Sequence, residues 1–358
     1  LDEQFANGAY VESYVYLDAM ADDEGVVLPS HSIPVLAYYG GWDEPSMFDS
    51  YTYTQISNNL NDHVSYFSES YEFIPVYNYV SAVDRDGNEY YLGGNGFATE
   101  DQYLPQRNAI SSTADTYISA LNFSLIRNAA DVRAVISNAE TGEIYGEEQV
   151  GETVYAAFFA PSYGWWQYLS NFLVPTHEEG DPGWFAVDSR GNILPEGTHL
   201  VASIQAAPEY ALREDGTVDW DNLDVDGTVM SIPFTIDNTA PTISAISVGT
   251  ERDTATGEER LFVEAKVQDN QYTAAILLLT PKGTKVIRRA AINQTVAGAE
   301  MSARLDVTDV FGSSFQLAAG DYAGNIRCYD VSVGEPYDGP ASRLIGSTTD
   351  YNNAQWGA

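Results

Sequence analysis

Apolar and polar residues alternate along much of the chain, the two-residue period of strands with one face buried. Between residues 5 and 20 the positions Phe5, Tyr10, Val11, Tyr14, Val15, Tyr16 and Leu17 read as one or two strands. Asp22-Asp23-Glu24-Gly25 reads as a turn, and Ile33 to Tyr39 as a further strand whose Pro34 suits a sheet edge. If the strand at 5–20 belonged to a preceding sandwich it would lack its partners, so it is expected to pack against the domain that starts near Ile33. Residues 42–62 lack a period and predict irregular chain with a short helical turn.

Four segments repeat one hairpin device. Val80–Val83 runs into Asp84-Arg85-Asp86-Gly87-Asn88 and returns through Glu89–Leu92. Val132–Ser137 runs into Asn138-Ala139-Glu140-Thr141-Gly142, and Val187 into Asp188-Ser189-Arg190-Gly191-Asn192. Leu277–Thr280 runs into Pro281-Lys282-Gly283-Thr284. Each reads as a strand, a type I turn closed by glycine at positive φ, and a return strand. Such hairpins predict an all-β fold of tandem antiparallel β-sandwiches, fibronectin type III-like or immunoglobulin-like.

The clearest boundary is Ile236-Asp237-Asn238-Thr239-Ala240-Pro241, where one strand ends and a proline opens the next. We therefore expect residues 1–30 to be end strands of a preceding sandwich or an N-terminal extension. Residues 31–237 are expected to form a fibronectin type III-like sandwich with insertions, 238–335 an immunoglobulin-like sandwich, and 336–358 a tail. The 165–183 stretch is the expected insertion.

Charge narrows the partners. With Lys+Arg 16 against Asp+Glu 52, the formal net charge of −36 repels nucleic acid and anionic membrane surfaces. No apolar run approaches the length of a membrane span, so membrane insertion is not expected, and no signal peptide opens the chain. The single cysteine, Cys328, excludes an intrachain disulfide and zinc-finger spacings. The acidic, Tyr-, Asn-, Gly- and Thr-rich composition fits an extracellular, cell-surface or cell-wall setting and a piece of something longer.

No catalytic constellation stands out. His31, His63, His177 and His199 sit in no recognisable triad motif, and no Gly-x-Ser-x-Gly elbow occurs. Carboxylate pairs carry no signal in a chain with 52 acids. Structural calcium is the one cofactor with candidate ligands, because hard cations take carboxylate and carbonyl oxygens. Asp84, Asp86 and Asn88 resemble the start of a calcium loop, but the glycine falls too early and no glutamate closes it, so the hairpin reading is preferred. Asp215, Asp219, Asp221, Asp224 and Asp226 read as a solvated loop. The metal candidates are Asp237, Asp269 and Asp321, with Asn238, Asn270 and Asn325 beside them, acids that would meet at one pole of a sandwich and stiffen the hinge. Trp165, Trp166 and Trp184 are candidates for a ligand-stacking face, against the alternative that they fill a core or a domain interface.

An ordered set of short stretches resembles the cell-envelope subtilisin-like serine proteases of the lactocepin and complement-cleaving peptidase type. It comprises Phe5–Val15, Ile33–Trp42, Met47-Phe48-Asp49, Tyr91–Asn95, Asn108–Ser111, Leu125–Ala129, Leu194–Thr198, Phe234–Pro241 and Asp321–Asn325. The resemblance covers most of residues 5–325 and implies the sandwich domains that follow the catalytic domain. The region from Trp165 to Trp184 departs from the family, and no wall-anchor motif closes the chain. The resemblance implies no catalytic residue here and no enzymatic activity of this region. It implies a spacer and substrate-positioning role, with the upstream protease domain and protein substrates as partners. An adhesin or carbohydrate-binding module built on similar sandwiches is the alternative.

Overall fold

The computed structural model describes residues 9–18, 25, 30–39, 46–48, 79–84, 87–94, 104–125, 127–156, 158–160, 165–167, 171–223, 227–280, 286–308, 314–332, 342–343 and 345–349. These residues form an all-β molecule, with only short 3-10 turns at Pro105–Arg107, Glu209–Ala211 and Trp220–Asn222. No helix among them is long and apolar enough to cross a membrane.

Strands β1 (Ala9–Leu17) and β2 (His31–Tyr39) pair antiparallel over their full length, Ala9 opposite Tyr39 and Leu17 opposite His31. Among the described residues they form a two-stranded sheet of their own. Pro34 fits there because a strand of a two-stranded sheet has a free edge.

The first sandwich follows. One sheet contains β3 (Tyr79–Val83), β4 (Glu89–Tyr91), β6 (Tyr117–Phe123) and β11 (Asn171–Leu173), in the order β11-β6-β3-β4. The facing sheet contains β5 (Ala109–Ile110), β7 (Asp131–Asn138), β8 (Ile144–Gln149), β12 (His199–Ala207) and β13 (Val229–Ile236), in the order β5-β13-β12-β7-β8. Strands β9 (Phe158–Ala160) and β10 (Trp165–Gln167) make a separate two-stranded pair. The ladders are antiparallel except for β13 beside β5, where Thr235 faces Ala109 and Ile236 faces Ile110 in parallel. Alternation sends Leu200, Ala202, Ile204 and Ala206 of β12 into the core, where they meet Val132, Ala134, Ile136, Ile118, Leu121 and Phe123.

The second sandwich has its own core. β14 (Thr242–Arg252), β15 (Glu259–Gln268), β18 (Met301–Asp306) and β21 (Ser342–Arg343) form one sheet, ordered β18-β15-β14-β21. β16 (Thr273–Leu279), β17 (Val286–Ala291), β19 (Ser314–Asp321), β20 (Ile326–Ser332) and β22 (Ile345–Thr349) form the other, ordered β17-β16-β19-β20-β22. In β15, Val263, Ala265 and Val267 point inward and Glu264, Lys266 and Gln268 outward. They pack on Ile276, Leu278, Phe315, Leu317 and Ala319 of the facing sheet. Strand β16 is buried at every position because its other side, Ala275, Leu277 and Leu279, packs with Ala318 and Cys328.

The hairpin turns follow from side chains that imitate a backbone turn. Asp84 Oδ1 accepts the Asn88 N–H at 2.8 Å and Asp188 Oδ1 the Asn192 N–H at 2.8 Å. Asn138 Oδ1 accepts from Glu140 and Thr141 at 2.9 Å. Each turn closes on a glycine in the left-handed region, Gly87, Gly191 and Gly142. The carboxylate of Asp84 is thus spent on its own turn. The turn expected at 281–284 lies outside the described residues.

Candidate metal centre at the domain junction

Strand β13 ends at Ile236 and β14 begins at Thr242, so residues 237–241 carry the chain from one sandwich to the other. Three strand ends converge on this crossing. Asp237 directly follows β13, and its N–H donates to the Ile110 carbonyl at 3.1 Å. Asp269 directly follows β15. Asp321 ends β19 and starts the tight turn to β20, with its N–H on the Asn325 carbonyl at 3.1 Å. Asp in these places terminates a ladder by capping the chain that leaves it.

The structure brings Asp237, Asp269 and Asp321 together: one carboxylate oxygen of each lies within 4.8 Å of the others. All are buried, with 1%, 4% and 6% of their surface exposed. Asp237 Oδ1 accepts the Thr239 N–H at 3.2 Å, and Asp269 Oδ2 the Gln271 N–H at 3.0 Å. Asp321 Oδ1 accepts the N–H groups of Ala323 and Asn325 at 2.9 and 2.8 Å. The Asn325 amide donates to Asp321 Oδ2 at 2.8 Å and to the Asp237 carbonyl at 2.7 Å. Two acceptors on one amide nitrogen fix which end of Asn325 is oxygen. Asp269 Oδ1 and Asn325 Oδ1 are buried without a hydrogen-bond partner.

Among the described residues, no Lys, Arg or His forms an ion pair with the three carboxylates. Their acidities shift accordingly. Burial, then the charge of Asp269, pushes Asp237 up to about 7. Burial pushes Asp269 up to about 6, against the Gln271 and Asn270 N–H groups that hold it down. Burial and the charges of Asp237 and Asp269 raise Asp321 well above the carboxylate range. Such a cluster relieves itself either by holding protons or by holding a cation. An all-oxygen donor set without His or Cys suits a hard cation, not zinc. Carboxylates this buried cannot reach a polymer, so they are not a glycosidase pair.

No protein-family model and no curated protein matches the chain. Its own geometry therefore carries the reading of the site.

Around the carboxylates the two sandwiches are bonded directly. Arg107, fully buried in the first sandwich, donates from Nε to the Gln294 carbonyl at 2.9 Å and lies 4.9 Å from the Tyr322 ring centroid. Thr235 Oγ1 donates to Gln271 Oε1 at 3.0 Å. Glu196, in the turn that precedes β12, accepts the Asn270 amide at 2.7 Å and also receives Asn238 and Thr239. Asn238 Oδ1 accepts the Ser112 N–H at 2.8 Å. Arg107 and Glu196 are the residues that sequence reasoning missed.

Gly324 marks how closely the domains approach. Its φ is 93°, and a Cβ there would lie 2.8 Å from Thr116 Cγ2 of the first sandwich. Gly324→Ala is therefore expected to destabilise by about 2–4 kcal/mol, from the left-handed backbone and the clash together. A thermal melt of this variant that matches the parent would refute the tight junction.

The other candidates fall elsewhere. Trp184 is 0% exposed, edge-on to Phe234, and donates from Nε1 to the Val187 carbonyl at 3.1 Å. It is a core side chain with no free face, which corrects its place in a ligand-stacking platform. Trp165 and Trp166 lie in β10, opposite Ala160 and Phe159, and their side chains are outside the described residues. Asp215 caps its own turn through Thr217 and Asp219 pairs with Arg213 at 2.8 Å, as a solvated loop does, while Asp224 and Asp226 lie outside the described residues.

Proposed function

We propose that the chain is a non-catalytic accessory region of a larger secreted, cell-surface subtilisin-like serine protease. Its tandem sandwiches act as a spacer that positions large protein substrates for the upstream catalytic domain. The junction carries this reading. Contacts from Arg107, Thr235, Glu196 and Asn325 cross between the sandwiches on several sides of the linking segment. A spacer works only if its modules keep a fixed orientation, and a buried polar network of this kind specifies one orientation where an apolar contact would allow sliding. The ordered resemblance to cell-envelope subtilases supplies the protease partner.

The test is made on the whole polypeptide. Deleting residues 242–332 is expected to lower kcat/KM for a folded protein substrate at least tenfold while leaving cleavage of a short peptide within about twofold. Equal loss on both substrates would show a stability effect and sink the positioning role. An open reading frame with no subtilisin domain upstream would sink the protease assignment itself.

A further inference from the structure

We infer that Asp237, Asp269 and Asp321 form a binding site for a divalent cation of the calcium class, and that this cation locks the two sandwiches into one orientation. The binding half stands on the site alone, whereas the locking half rests on the spacer reading.

The geometry fits such an ion. Calcium takes oxygen ligands at about 2.3–2.6 Å, so oxygens sharing one ion lie up to about 5 Å apart. The three carboxylate oxygens meet within 4.8 Å. Asp269 Oδ1, on one of these carboxylates, is buried and unbonded, which is the state expected of a ligand oxygen whose partner is an ion. Asn325 Oδ1 is a second unbonded oxygen in the turn that Asp321 opens. Its amide nitrogen is already committed to Asp321 and to the Asp237 carbonyl, so only a cation or a donor can satisfy the oxygen. Three carboxylates exceed the charge of a divalent ion, and no basic side chain among the described residues pairs with them. Magnesium demands near-ideal octahedral geometry, whereas calcium accepts the irregular set offered by one strand end and two residues that follow strands.

The ligands also explain what binding would do. Asp237 directly follows β13 of the first sandwich, Asp269 directly follows β15 of the second, and Asp321 is the last residue of β19. An ion between them ties the exit of one domain to the pole of the next. Glu196 fastens the same loops from outside through Asn270, Asn238 and Thr239.

The experiment uses the full chain freed of metal with a chelator and titrated with calcium chloride near neutral pH. We expect one calcium per chain in isothermal titration. At about 100 times the dissociation constant, the melting temperature should rise by roughly 5 °C or more. Asp269→Asn should weaken binding at least roughly tenfold while keeping the parent's circular dichroism. Asp321→Asn risks misfolding because Asp321 caps its own turn, so Asp269→Asn is the deciding variant. No heat and no shift in melting overturns the site. Unchanged affinity in Asp269→Asn also overturns it, by assigning the calcium to the acidic surface. Magnesium raising the melting temperature as much as calcium overturns the calcium class. Small-angle scattering reads the lock: calcium should narrow the distribution of interdomain distances, and binding without that change removes the locking half alone. Failure of the peptide-against-protein comparison, with calcium binding intact, would instead remove the spacer reading.

Discussion

Stripped of divalent cations, the protein should melt at a higher temperature near pH 5 than near pH 8, the reverse of the usual acid lability. Asp237 and Asp269 titrate at about 7 and about 6 in the fold, raised by burial and by their neighbours. In the unfolded chain an aspartate titrates near 3.9. Between those values the folded state holds protons that the unfolded state has released, so stability falls as pH rises. The contribution is complete below about pH 4 and gone once pH passes about 7, and one proton held across a shift of two to three units is worth about 3 kcal/mol. Asp321 acts in the same direction.

The opposing groups titrate elsewhere. Asp188, Asp215, Asp253, Glu300 and Asp306 are held below the ordinary carboxylate range, chiefly by hydrogen bonds from their own turns or from Lys266. Their stabilisation is lost only as pH falls through that lower range, so it does not mask the trend between pH 5 and 8. The Glu196 charge also faces the cluster, and Tyr90, pushed far up by burial, stays neutral throughout this range. Melts in chelator at both pH values, on the parent and on Asp269→Asn, test the idea. The variant should show a flatter slope, because an amide cannot take up the proton. A parent that melts equally at both pH values, or higher near pH 8, contradicts the protonated cluster.

How much of this was legible in the sequence depends on the range of the interaction. The turns at Gly87, Gly142 and Gly191 are local: an Asp or Asn, a short loop and a glycine suffice to write them. Asp237 was legible as an acid at a strand boundary, and Asp269 and Asp321 as loop acids that could meet it at one pole. Their convergence depends on two strand pairings far apart in sequence, and only the analogy with sandwich topology suggested it. Glu196 carried no signal, since it is one acid among 52 in a Pro-Glu-Gly turn. Arg107 carried none either. No periodicity marks a buried guanidinium, and its site exists only where Gln294 and Tyr322 of the other domain close over it. The β1–β2 pair was legible as two strands, but that they form a two-stranded sheet among the described residues is a matter of sheet order, which alternation does not encode.

Trp184 was legible both as a stacking candidate and as a core side chain, and its burial in the core yields the second large effect: Trp184→Ala should cost about 3–5 kcal/mol. The residues before it, Gly180-Asp181-Pro182-Gly183, read as part of an insertion. In the fold, Trp184 bonds back to Ile118 through both its N–H and its carbonyl at 3.0 Å, which draws the indole into the first core. It fills the space above Gly146, where a Cβ would come within 2.8 Å of the indole Cδ1. Removing the ring leaves a cavity bounded by Phe234 and strips the Val187 carbonyl of its donor. Trp184→Phe keeps most of the volume and loses only the hydrogen bond and part of the packing, so it should cost less than half as much. Urea unfolding followed by circular dichroism separates these cases. The loss belongs to the first sandwich, because the second has its own core. Had Trp184 been a sugar-stacking residue, Trp184→Ala would leave the unfolding midpoint in place and abolish glycan binding. That outcome would overturn its assignment to the core and restore the carbohydrate-binding alternative.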